Sequence, residues 1–154
     1  MHGPKNLLLI GQLSGTLGQN GELTQGTNDS VVEGGDQYLP LSTFTANMQK
    51  FFEALTSSSS PYAVADSPVS IVLITPGPPL HSQMPEDRRA GRSVDRTGQF
   101  RAEVIRLYHE WKAVESEQKV YAGGWGWKIA LVDFWGLVEE DAGGLGEELA
   151  PYYL

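Results

Sequence analysis

Val69-Ser70-Ile71-Val72-Leu73-Ile74-Thr75-Pro76-Gly77-Pro78-Pro79 decides the fold class. Its first seven residues form a continuous apolar, β-branched run, which reads as a buried central strand over 69–75. The prolines that follow cannot donate to a β-ladder, so the strand must stop there. A prolyl loop at the carboxyl end of a parallel strand borders the usual ligand crevice of open α/β sheets.

Lys128-Ile129-Ala130-Leu131-Val132-Asp133-Phe134 reads as a second such strand. Between and before these strands lie two helical patterns. Leu41, Phe44, Met48, Phe51, Phe52 and Leu55 recur at three- and four-residue spacing, predicting a helix over 42–55 capped by Ser42 or Thr43. Phe100, Val104, Leu107, Trp111 and Val114 mark a second stripe over 96–117, with His109 on its polar side. Apolar strands alternating with amphipathic helices argue an α/β domain with a parallel sheet.

The connections are equally legible. Thr56–Pro61 reads as a Ser-rich solvated turn, residues 80–95 as a long surface loop, and Glu139-Glu140-Asp141 as a solvated acidic turn. Residues 144–150 can form a short helix. Tyr121-Ala122-Gly123-Gly124-Trp125-Gly126-Trp127 is a Gly/Trp loop whose indoles are expected to pack on the sheet edge. His81, in the surface loop, reads as an exposed histidine rather than a catalytic base. Arg88, Arg89, Arg92 and Arg96 read as a solvated cluster, with a steering patch for an anion as the sharper alternative.

Residues 5–10 form a short apolar run ended by Gly11, a further strand. The Gly- and amide-rich stretch 11–21 lacks the Gly-x-Gly-x-x-Gly spacing of a dinucleotide loop and the Gly-Lys-Ser/Thr of a P-loop. It reads as a flexible loop.

The 154 residues suit one domain. Cysteine is absent, which excludes disulfides and thiolate zinc sites and fits a reducing compartment. A net charge of -8 argues against nucleic acid. With neither a run of about eighteen apolar residues nor a leader pattern, the expectation is a cytoplasmic chain without a membrane span.

Gly26-Thr27-Asn28-Asp29, read alone, is a polar turn. Followed by Tyr38-Leu39-Pro40-Leu41, the 69–79 stretch, Asp95-Arg96-Thr97 and Lys128–Trp135, it stands in an order that resembles the SGNH (GDSL-type) hydrolases, most closely the isoamyl acetate-hydrolysing esterases. The resemblance spans residues 26–154; residues 1–25 look unrelated to that family. It implies a three-layer α/β/α sandwich with a mainly parallel, flavodoxin-like sheet, here incomplete. It further implies that Asn28 is an oxyanion-hole donor and that Asp29 braces its loop. No metal or organic cofactor is implied.

Serine ester hydrolysis needs an attacking Ser, a His to take its proton and donors for the oxyanion. The family carries the Ser in a Gly-Asp-Ser block and the His in Asp-x-x-His. Residues 1–154 contain neither motif. Ser14, in Gly11-Gln12-Leu13-Ser14, is a weak echo of the first. The expectation is a truncated esterase for small acyl esters with little or no activity. Loss of amino-terminal strands would also expose a sheet edge open to self-association. Two alternatives stand beside it: a non-catalytic interaction protein on the same remnant fold, and a small-ligand-binding α/β domain in which 26–29 is only a turn.

Overall fold

The computed structural model describes residues 30–57, 59, 70–117 and 126–152, together with the backbone of 7–10. Three strands, β1 (Leu7–Ile10), β2 (Ser70–Ile74) and β3 (Lys128–Val132), form one sheet in the order β1-β2-β3. All neighbours run parallel, with Leu7 opposite Ser70 and Ile71 opposite Ile129. The two Val/Ile/Leu-rich runs are therefore side by side, and β2 is the middle strand. Thr75 makes the last ladder bond, its N–H donating to the Val132 carbonyl at 3.0 Å, before Pro76 removes the next donor.

Helices α1 (Leu41–Thr56) and α3 (Val94–Glu117) connect the strands, with a short α2 (Glu86–Arg89) between β2 and α3. Phe44, Met48, Phe52 and Leu55 of α1 join Phe100, Val104 and Leu107 of α3 over Ile71, Leu73 and Ile129 in a single core. Phe44 meets Phe100 at 5.0 Å between ring centroids. Trp127 is buried and edge-on to Trp111, as expected of an indole packing at the sheet; Trp125 lies outside the described residues.

Both large helices cover the same face. Connections that step across a parallel sheet in one direction with one hand must do so. The consequence corrects the reading of 69–75 as uniformly buried. Ile71 and Leu73 are buried, whereas Ser70, Val72 and Ile74 on the other face are half-buried. On β3, Ile129 is buried while Ala130 and Val132 are exposed.

Other expectations shift in detail. Neither Ser42 nor Thr43 caps α1; Pro40 stands at the cap, and its carbonyl accepts from the N–H groups of Thr43 and Phe44. The α3 stripe ends early, with Val114 46% exposed. A helix of 24 residues is about 36 Å long, against about 17 Å for a five-residue strand, so its last turns overrun the sheet. The 80–95 stretch is not plain loop: it holds a 3-10 turn at His81–Gln83 and α2, whose acidic start and basic end suit the helix dipole.

The last strand stops at Val132, short of Phe134. The acidic Glu139-Glu140-Asp141 is not a turn but the second half of α4 (Phe134–Ala142). Gly143, at φ +79°, closes α4 in the left-handed conformation that glycine tolerates. A 3-10 segment at Glu147–Tyr152 follows, where the short helix was expected. Leu80, Val138 and Leu149 form a second, smaller core beneath α4.

Candidate functional site

The carboxyl ends of β2 and β3 are joined by side chains. Thr75, buried at the end of β2, donates its hydroxyl to Asp133 Oδ1 at 2.8 Å and accepts the Trp135 backbone N–H at 3.2 Å. Asp133 caps α4, with Oδ1 accepting from the Gly136 N–H at 3.3 Å. Arg101 of α3 grips the same carboxylate with two bonds, Nε to Oδ1 at 3.0 Å and Nη2 to Oδ2 at 2.6 Å. Its guanidinium also lies 5.7 Å from the Trp135 ring, and the Trp135 indole donates to Glu139.

This environment fixes the protonation state. Arg101, with help from Thr75 and the Gly136 N–H, holds the Asp133 carboxyl below the usual carboxylate range against the opposing effect of burial. Asp133 in turn raises the affinity of Arg101 for its proton. An ionised carboxylate already serving four donors is a poor proton acceptor. The cluster is a brace between two strand ends and two helices, not an acid–base pair.

A second assembly joins residues 30–39 to the start of α3. Ser30 is fully buried, and the Thr97 hydroxyl donates to its Oγ at 3.1 Å. The Val32 N–H donates to the Gly91 carbonyl at 3.0 Å. Arg96 donates from Nη2 to the Leu39 carbonyl at 2.7 Å, with its guanidinium 5.0 Å from the Tyr38 ring centroid and 4.9 Å from that of Phe100.

The orientation of α3 locates this assembly. Its carboxyl half reaches Ile129 near the beginning of β3, and Arg101 reaches Asp133 just beyond the end. The first turns of α3, and Ser30 with them, therefore lie toward the carboxyl edge of the sheet. The prolyl loop leaves that edge with Pro76 and Pro78 fully buried.

Asn28 and Asp29, with Gly26 and Thr27, lie outside the described residues, as do Ser14 and the whole 11–21 stretch. His81 and His109 are both exposed, as their positions in the sequence suggest. The arginine cluster is not one patch. Arg88 and Arg89 are exposed, with Arg89 donating to the Met84 and Ser82 carbonyls, while Arg96 is committed to the 30–39 segment. Among the described residues, no three His, Cys, Asp or Glu converge as a metal site would require, and no helix is long and apolar enough to cross a membrane.

Sequence reasoning missed the Thr75–Asp133–Arg101 brace. One signal was available: Asp133 directly precedes the apolar Phe134-Trp135, where a helix-capping residue stands. Nothing in the sequence marks Arg101 as its partner. Comparison with family models, with characterised proteins and with solved structures found no match to this chain.

Proposed function

We propose that this chain is a truncated SGNH-type carboxylic ester hydrolase whose full architecture is a three-layer α/β/α sandwich acting on small acyl esters in the cytoplasm. In this reading Asn28 donates to the oxyanion, Asp29 braces the loop, and no cofactor takes part. Residues 1–154, lacking Gly-Asp-Ser and Asp-x-x-His, turn esters over weakly or not at all.

One observation carries the reading. Ser30, the residue after Asp29, is fully buried and bonded to Thr97 at the start of α3, on the side of the parallel sheet where strands end. Open α/β sheets bind their ligands on that side. The adjacent parallel placement of β2 and β3 agrees with it, since separate sheets would have removed the lineage. The third layer would cover the face left by α1 and α3. Self-association through an exposed edge would fall to β1, which has one neighbouring strand among the described residues, because the β3 edge is occupied by side chains of α3.

Hydrolysis of p-nitrophenyl acetate, combined with the flanking coding DNA, tests the proposal. Residues 1–154 should show only background turnover, unchanged by Ser14→Ala, and Ser14 should resist a fluorophosphonate probe. The flanking DNA should encode Gly-Asp-Ser upstream and Asp-Gly-x-His downstream. In a polypeptide spanning both, Asn28→Ala should lower kcat by about 10²- to 10³-fold. Open reading frames without either block, or activity indifferent to Asn28→Ala, would reduce 26–29 to a turn and end the esterase reading.

A further inference from the structure

We propose that the outer face of α4 is a docking surface for a basic amphipathic segment of another protein. Helix α4 buries Trp135 and Val138, and its opposite side carries large apolar residues that no described residue covers. Phe134 is 46% and Leu137 58% exposed, and they stand one turn apart. Further along the same stripe, Asp141 accepts a hydrogen bond from the hydroxyl of Tyr152, itself 42% exposed. Val132, also exposed, precedes the helix cap. Among the described residues, the exposed large apolar side chains are these four and Val114 alone elsewhere. An exposed apolar cluster with a polar rim marks an interaction site.

Charge selects the occupant. Residues 129–154 contain Asp133, Glu139, Glu140, Asp141, Glu147 and Glu148 and not one Lys or Arg. Asp133 is spent on Arg101, while Glu140 and Asp141 are exposed on α4 and Glu147 and Glu148 on the 3-10 segment that follows it. A second copy of the chain would set these carboxylates against each other, and an anionic membrane surface would be repelled in the same way. A helix with apolar residues at i, i+3, i+4 and i+7, flanked by Lys or Arg, satisfies both the apolar centre and the acidic rim. The inference uses neither residues 26–29 nor Ser30, which carry the esterase reading.

The test uses the full chain and a fluorescent synthetic helix of Leu and Lys with Leu at i, i+3, i+4 and i+7. Controls are a shuffled peptide of equal composition and a peptide with Glu in place of Lys. Anisotropy should show saturable binding of the Leu/Lys helix alone, weakening as salt rises. Phe134→Ala and Leu137→Ala should each weaken it about tenfold, as loss of a central apolar anchor does. Glu140→Lys should weaken it as well, and Val114→Ala should leave it unchanged. These substitutions fall on exposed side chains, and unchanged urea midpoints would certify folding. Equal binding of the shuffled or Glu peptide, or indifference to Phe134→Ala and Leu137→Ala, would overturn the proposal. So would a dimer in sedimentation that Leu137→Ala dissociates, since a second copy would then be the occupant.

Discussion

The Glu115 carboxylate, on α3, accepts the backbone N–H of Ile129 at 2.9 Å, a bond that a neighbouring strand would otherwise make. Ile129 lies on β3, an outer strand of the sheet. The Lys112 ammonium approaches the Ile129 carbonyl at 3.4 Å, and Lys128 lies 3.4 Å from the other Glu115 oxygen. One helix thus plugs the free edge with a charged cluster, a device that blocks edge-to-edge pairing.

Removing the plug should cost both stability and solubility. The Glu115 side chain is only 8% exposed, so Glu115→Ala takes the acceptor from the Ile129 N–H, while the exposed Lys112 and Lys128 turn to solvent. We expect a loss of about 1–3 kcal/mol in urea unfolding, with light scattering that grows with protein concentration. Glu115→Gln, which keeps an acceptor for Ile129, should aggregate less. Unchanged scattering in both variants would show that the β3 edge is protected by something else.

Acid should destabilise the fold through three carboxylates. Arg101 holds Asp133 below its ordinary value of 3.8. Arg106, aided by Thr45, holds Glu103 below 4.5. Burial works against the charge of Glu115, but Lys112, the Ile129 N–H and Lys128 outweigh it, and that group too lies below 4.5. Each group is more acidic folded than unfolded, so its contribution is complete above the unfolded value and is lost as pH falls through the folded one. Urea midpoints should be flat with respect to these groups from about pH 7 to pH 5.5 and drop steeply below about pH 4. Asp133→Asn should make that drop shallower. A midpoint that rises on acidification would contradict the pairing.

Positions of one helical pattern should differ sharply in weight. Phe52 is fully buried and packs against Trp111 with ring centroids 4.9 Å apart, so Phe52→Ala should cost about 3–5 kcal/mol. Val114→Ala, on the overrunning end of α3, should stay within about 0.5 kcal/mol of the parent. Comparable losses at both sites would mean that Val114 is covered in solution.

Gly136→Ala sets two effects against each other. Alanine gains about 1 kcal/mol over glycine inside a helix. A Cβ at 136, however, would lie 2.6 Å from Asp133 Oδ2 and 3.1 Å from Arg101 Nη2. We expect the clash to win and the Arg101–Asp133 grip to open, with a net loss of about 1–2 kcal/mol in thermal or urea unfolding. A more stable Gly136→Ala would show that the brace can shift without cost.

Elements whose signal is local were legible in the residues alone. The β-branched run closed by Pro76 and the stripes Phe44–Met48–Phe52 and Phe100–Val104–Leu107 each state their conformation through periodicity, and together they dictate a parallel α/β sheet. The sequence also raised Asn28, Asp29 and Ser14 as candidates, none of which falls among the described residues. Which face of the sheet is covered emerges from the folded chain, because that depends on the direction in which successive connections cross it. The partnerships of Arg101 with Asp133, Ser30 with Thr97 and Glu115 with Ile129 were decided there too. Their members stand 32, 67 and 14 residues apart, and no local pattern encodes a hydrogen bond over such separations. Helix α4 was hidden for a related reason: the acids at 139–141 resemble a turn until Asp133 caps the helix and Trp135 and Val138 are buried.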